Sequence, residues 1–211
     1  MANPDVMWPR VIKEREALAE DLAGLTNAQW ATRSLCSKWT VQNLVVHLIS
    51  GFQVTKKEAV LALVRHGFNF SQLNDTVVSS GTHVPPSTTL EQYRAAMGRE
   101  SDTFKPEDAL AEIMIHSADI RIPLGLEYEP SKDNLFSLAA SVSKRPHSKR
   151  LRDLRKGLRF TATDQPWSLG SKGPEVKGPM LPLLLALCGR EAGLEQLEGD
   201  GLTAFRARFS H

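Results

Sequence analysis

The run PEDALAEIMIHSADIR, residues 106 to 121, constrains this chain more than any other stretch. Pro106 suits a first helical turn, and Glu107 and Asp108 follow it where a helix dipole favours acids. The helix is expected to run to about Arg121 and to stop before Pro123. Leu110, Ile113, Met114 and Ile115 spread apolar surface almost all round it, so it must be buried. Glu112 and His116 interrupt that surface. Four residues apart, they share one face, one turn from each other. An ionised carboxylate is seldom buried without a partner. A salt bridge or hydrogen bond to His116 is one answer, and a shared metal ion is another.

A second helix starts near Thr40, a good N-cap with Trp39 before it. Val41, Leu44, Val45, Leu48 and Ile49 form its apolar stripe, and His47 sits at the rim of that stripe. Inward ligands from two helices are a known way to build a metal site in a bundle. Two histidines and one glutamate leave a fourth tetrahedral position open, as in catalytic zinc sites. The N,N,O set favours zinc, with nickel, cobalt and iron(II) as alternatives.

Four more helices are expected: Val11 to Leu25, Phe52 to Arg65, Thr89 (with Gln92 as a capping box) to Phe104, and Ser131 to Lys144. Residues 69–86 read as a long loop. Near Gly157 the pattern changes. LRFTATD, WSLG and EVKGP read as short strands, and MLPLLLALCG as an apolar helix with Gly189 at its end. The expected organisation is a helical bundle over residues 1–145, then a small α+β domain with a basic connector over residues 146–211.

The net charge of +2 selects neither nucleic acid nor an anionic membrane. No apolar run is long enough to span a bilayer. The start of the chain lacks a signal-peptide pattern, and Cys36 and Cys188 form no CxxC pair. A cytoplasmic location is the expectation. The two cysteines read as packing residues. The run KRPHSKRLRDLRKGLR has no aromatic residue for base stacking and is broken by Asp153. It reads as a solvated connector, with nucleic-acid binding and anion binding by its arginines as the other readings.

Several segments carry a more specific likeness: SLCSKWTVQNLVVHL, GFNFSQLND, EIMIHSADIRIPLGL and GLRFTATDQPWSLGSKGPEVKGPMLPLLLALCGR. Together they resemble the mycothiol-dependent maleylpyruvate isomerase family of the DinB-like superfamily. The resemblance spans nearly the whole chain in order. Asn43 departs from it, standing where many members carry an acid. The stretch from His47 to Glu112 is shorter than in the isomerase itself, so the resemblance leaves the substrate open. It implies a DinB-like four-helix bundle, mainly α, with a small C-terminal α+β domain. It implies His47, Glu112 and His116 as metal ligands, mycothiol as the thiol cofactor, and an actinobacterial source. The implied activity is isomerisation or S-transfer on a small electrophile, with a non-catalytic metal- or ligand-binding protein as the alternative. A metal-held thiol loses its proton readily, and the thiolate is the nucleophile. Arg121 is the candidate for holding a substrate carboxylate, since its planar fork suits that group. Orienting a ligand histidine together with Asp119, or simply capping the helix end, are its other readings.

Overall fold

The computed structural model describes residues 3–36, 38–65, 76, 78–79, 81, 83–101, 103–144 and 149–209, with the side chains of 59, 62, 63 and 65 excepted. The motif GFNFSQLND, most of the expected loop at 69–86, and His66, His147 and His211 lie outside the described residues. The fold is mainly helical with a small sheet near the C-terminus. Two compact units form, Met1–Glu129 and Pro130–His211.

The first unit is built on α1 (Pro4–Ala23), α2 (Asn27–Trp30), α3 (Val41–Gln53), α4 (Lys56–Arg65), α5 (Pro86–Met97) and α6 (Pro106–Leu124). Helix α1 packs on α5 and α6, and α3 packs on α5 and α6, which makes the four-helix bundle. Val11, Leu18 and Leu22 of α1, Leu44, Val45 and Leu48 of α3, and Leu110, Ile113 and Met114 of α6 are buried in it.

Helix α3 begins as its sequence dictates. Thr40 Oγ1 accepts the Asn43 N–H at 3.2 Å, and Asn43 Oδ1 accepts the Thr40 N–H at 3.0 Å. This is a reciprocal capping box with Asn in the acidic place. We expect Thr40→Ala to lower stability by about 1 kcal/mol in urea denaturation, the usual loss for a removed cap.

Other boundaries differ from expectation for local reasons. Helix α1 starts at Pro4 rather than Val11, because Asn3 caps it by accepting the Asp5 N–H and Pro4 suits a first turn. Helix α5 starts at Pro86, with Thr89 inside it. Thr89 lies 3.0 Å from Gln42 Nε2, so its hydroxyl serves a contact between helices rather than a cap.

The largest difference is at the end of α6. The helix passes through Pro123 to Leu124 and ends at Gly125, whose φ of 66° is a left-handed stop. Pro123 has no N–H to give to the Asp119 carbonyl. The Leu35 N–H bonds that carbonyl instead, at 3.0 Å. The backbone bond lost at the proline is thus replaced by one from the 33–40 loop. That loop is itself closed by an Arg33–Thr40 bridge and by Ser34, whose N–H and hydroxyl both donate to the Trp39 carbonyl.

The second unit holds α7 (Lys132–Ser143), α8 (Lys149–Arg155), the strands β1 (Arg159–Ala162), β2 (Ser168–Leu169) and β3 (Glu175–Gly178), α9 (Met180–Leu187), a 3-10 turn (Glu191–Gln196) and α10 (Leu202–Arg206). The sheet order is β2-β1-β3, antiparallel then parallel, with Phe160 opposite both Leu169 and Val176. The expected boundary at residue 145 put α7 with the bundle. It sits in the second unit because it packs on α9, whose Leu183, Leu184 and Leu187 are fully buried. Part of the basic connector is helical, as α8. Arg155 there donates to the Val142 and Lys144 carbonyls at the end of α7.

None of the described helices is long and apolar enough to cross a membrane.

Candidate metal centre

Helices α3 and α6 bring His47, Glu112 and His116 together. One candidate ligand atom from each lies within 4.8 Å of the others. His47 Nε2 is 3.2 Å from Glu112 Oε1. The two imidazoles meet edge to face, with ring centroids 5.2 Å apart. The histidine side chains are 12% and 13% exposed and that of Glu112 is 30% exposed, so the glutamate is the most accessible of the three.

Burial raises the Glu112 pKa. The hydrogen bond from His47 and the charges of His116, His47 and Arg15 act the other way, and the net value lies below the usual carboxylate range. The group is therefore held as an anion, the form a cation needs. Arg15 of α1 is 2% exposed, donates to the Met97 and Arg99 carbonyls, and stacks 3.8 Å from the Phe52 ring centroid. The cavity between Arg15 and Glu112, lined also by Leu48, Gly51 and Phe104, holds only about 10 Å³. That is water-sized, so this side of the centre is closed to a substrate.

The 33–40 loop walls another side. Trp39 lies 4.9 Å from the His47 ring, between centroids. Cys36 Sγ lies 3.2 Å from Asp119 Oδ2 and 3.9 Å from His116 Nδ1. Asp119 Oδ2 is 2.9 Å from His116 Nδ1. Cys36, His116 and Asp119 thus form a second group of closely spaced candidate ligand atoms that shares His116 with the first. Sequence reading assigned Cys36 to packing. No local signal in the chain points to its contact with residues some eighty positions away. Arg15, too, carried no signal, being one charge among several on α1.

Arg121 is not part of this group. Nine residues beyond Glu112, it projects from the opposite face of α6, about 180° round the helix. Its Nε donates to Asp21 Oδ2 at 2.6 Å, and its guanidinium sits 4.5 Å from the Tyr128 ring centroid. At 3% exposure, this arginine serves the interior of the bundle.

The donor set fits a divalent cation. It offers two imidazoles and an anionic carboxylate, each from a helix, with His116 Nδ1 already 2.9 Å from Asp119 Oδ2.

Residues 11–119 match the family model for the mycothiol maleylpyruvate isomerase N-terminal domain. The chain belongs to this family. The match takes in His47, Glu112, His116 and Asp119. Two solved structures are similar over 94% of this chain and 93% of theirs, each at 14% identity. One is the mycothiol-dependent maleylpyruvate isomerase, at a TM-score of 0.65, and the other is a histidine-to-alanine mutant of it, at 0.66. At that identity the likeness is one of fold, and it covers the bundle and the small C-terminal unit alike. No curated protein sequence is a significant match.

Proposed function

We propose that this protein is a divalent-metal, mycothiol-dependent enzyme, an isomerase or S-transferase acting on a small electrophile. The observation that carries the reading is the convergence of His47, Glu112 and His116 within the segment that matches the family. These three residues would hold the metal. Zinc suits the donors best, with nickel, cobalt and iron(II) as alternatives.

A cation held there would stabilise a thiolate, which can add to a conjugated double bond or displace a leaving group at an electrophilic carbon. The protein's residues prepare the place for this. Glu112 contributes the negative charge that balances the ion. His47 and His116, mostly buried, present ring nitrogens from two rigid helices. Trp39, its ring centroid 4.9 Å from that of His47, covers this imidazole from the 33–40 loop. With three protein donors, the centre would leave a bound ion able to accept a thiol as a further ligand. A reduced thiol as cofactor accords with a cytoplasmic setting.

The test supplies mycothiol with maleylpyruvate and a panel of other small electrophiles, and follows free thiol and product. Turnover that requires the thiol and disappears on chelation is the expected result. Conservation of total thiol during turnover would indicate isomerisation, and its stoichiometric loss would indicate transfer. Metal retention without thiol-dependent turnover of any electrophile would make this a binding protein.

A further inference from the structure

Asp119 is 0% exposed, and a buried carboxylate persists only where donors surround it. Two donors converge on one of its oxygens. His116 Nδ1 is 2.9 Å from Oδ2, and the Cys36 thiol donates to the same atom at 3.2 Å. The backbone carbonyl of Asp119 is occupied as well, by the Leu35 N–H. The residue therefore ties α6, the 33–40 loop and the His116 ring together. His47 has no such device: its Nδ1 is buried with no hydrogen-bond partner among the described residues.

We propose that Asp119 is the positioning residue of this centre: it binds the Nδ1 proton of His116 and so leaves the Nε2 lone pair directed at His47 and Glu112. A carboxylate accepts and does not donate, so the proton on this nitrogen belongs to the histidine. A neutral imidazole carries one proton, and with Nδ1 protonated only Nε2 can bind a cation. The ring is then fixed in tautomer and in rotation before any ion arrives, as carboxylates behind zinc-bound histidines do elsewhere. Cys36 is the subsidiary donor. A thiol donates weakly, so its loss matters less. In its functional sense the proposal rests on the metal reading above, but the tautomer itself is a property of the metal-free protein.

The close grouping of Cys36, His116 and Asp119 offers a rival arrangement, in which a thiophilic ion sits on Cys36 Sγ, His116 Nδ1 and Asp119. That arrangement requires the opposite tautomer, with the proton on Nε2. The two are separable by experiment.

The full chain, labelled with nitrogen-15 and stripped of metal, would be studied by long-range proton–nitrogen correlation at a pH where the ring is neutral. The His116 signals are identified by their absence in His116→Gln. The expected result is an Nδ1–H tautomer in the wild type. Asp119→Asn, whose amide can donate, should shift His116 toward Nε2–H and weaken zinc affinity, measured by chelator competition, roughly 10–100-fold. Asp119→Glu should retain the tautomer, and Cys36→Ser should change affinity by less than the Asn variant does. An Nε2–H tautomer in the wild type overturns the proposal without need of any variant. So does an Asp119→Asn protein with an unchanged tautomer, and so does a thiolate-to-metal charge-transfer band on adding cobalt(II). If the wild type binds no divalent ion yet shows Nδ1–H that Asp119→Asn reverses, the positioning role stands and the metal reading fails.

Discussion

Purified His116→Ala and His47→Ala will contain almost no divalent metal, against about one ion per chain in the wild type, when all three are compared by elemental analysis. The expectation follows from donor count. Removing one of three protein ligands from an open site leaves two, and two cannot hold a divalent ion against solvent and buffer. His116→Ala should be the more severe, because it also takes from Asp119, a fully buried carboxylate, the ring nitrogen 2.9 Å from its Oδ2. A buried polar group left without its partner costs about 1–3 kcal/mol, and more when charged. His116→Ala should therefore lose stability as well as metal, whereas His47→Ala should lose mainly metal. Equal, substoichiometric metal in all three proteins would remove the centre altogether.

Removal of Asp21 will have the other large effect, on stability rather than chemistry. Asp21→Ala leaves the Arg121 guanidinium 3% exposed with its carboxylate partner gone. Breaking a buried pair from one side costs about 3–5 kcal/mol. Asp21 is itself 34% exposed, so water can reach the gap, and a loss of about 2–4 kcal/mol is the expected outcome in urea denaturation. Arg121→Met should cost less, since it removes the charge along with its partner's need. Both variants should keep wild-type metal content. Loss of turnover with unchanged stability and metal in Arg121→Met would restore the substrate-holding role that the sequence suggested for Arg121.

That contrast shows where sequence reasoning reached and where it stopped. Spacing alone put Glu112 and His116 on one face, because one helical turn is a local property. The Thr40 cap and the α3 stripe were legible for the same reason, and together they aim His47 inward. The same arithmetic, carried nine residues on, turns Arg121 to the far side of α6. Its attraction as an anion clamp came from its chemistry rather than its phase. Cys36 was beyond reach. Its meeting with Asp119 depends on where the 33–40 loop docks, and nothing between residues 30 and 40 states that. The partner of α7 was harder to read, because the spacing of its apolar residues does not name the helix they meet. Its packing on α9 settles the matter only in three dimensions.

Pro123 gives the docking of that loop an unexpected author. A proline inside a helix is usually counted as damage. Here the amide it withholds leaves an acceptor for the Leu35 N–H, 84 positions away in the chain. Any other residue at 123 would bring a competing donor to the same oxygen. The wall that carries Cys36 and Trp39 is in this sense addressed by the helix it faces, through a missing hydrogen. A loop grafted onto another bundle of this kind would need that address as much as its own sequence.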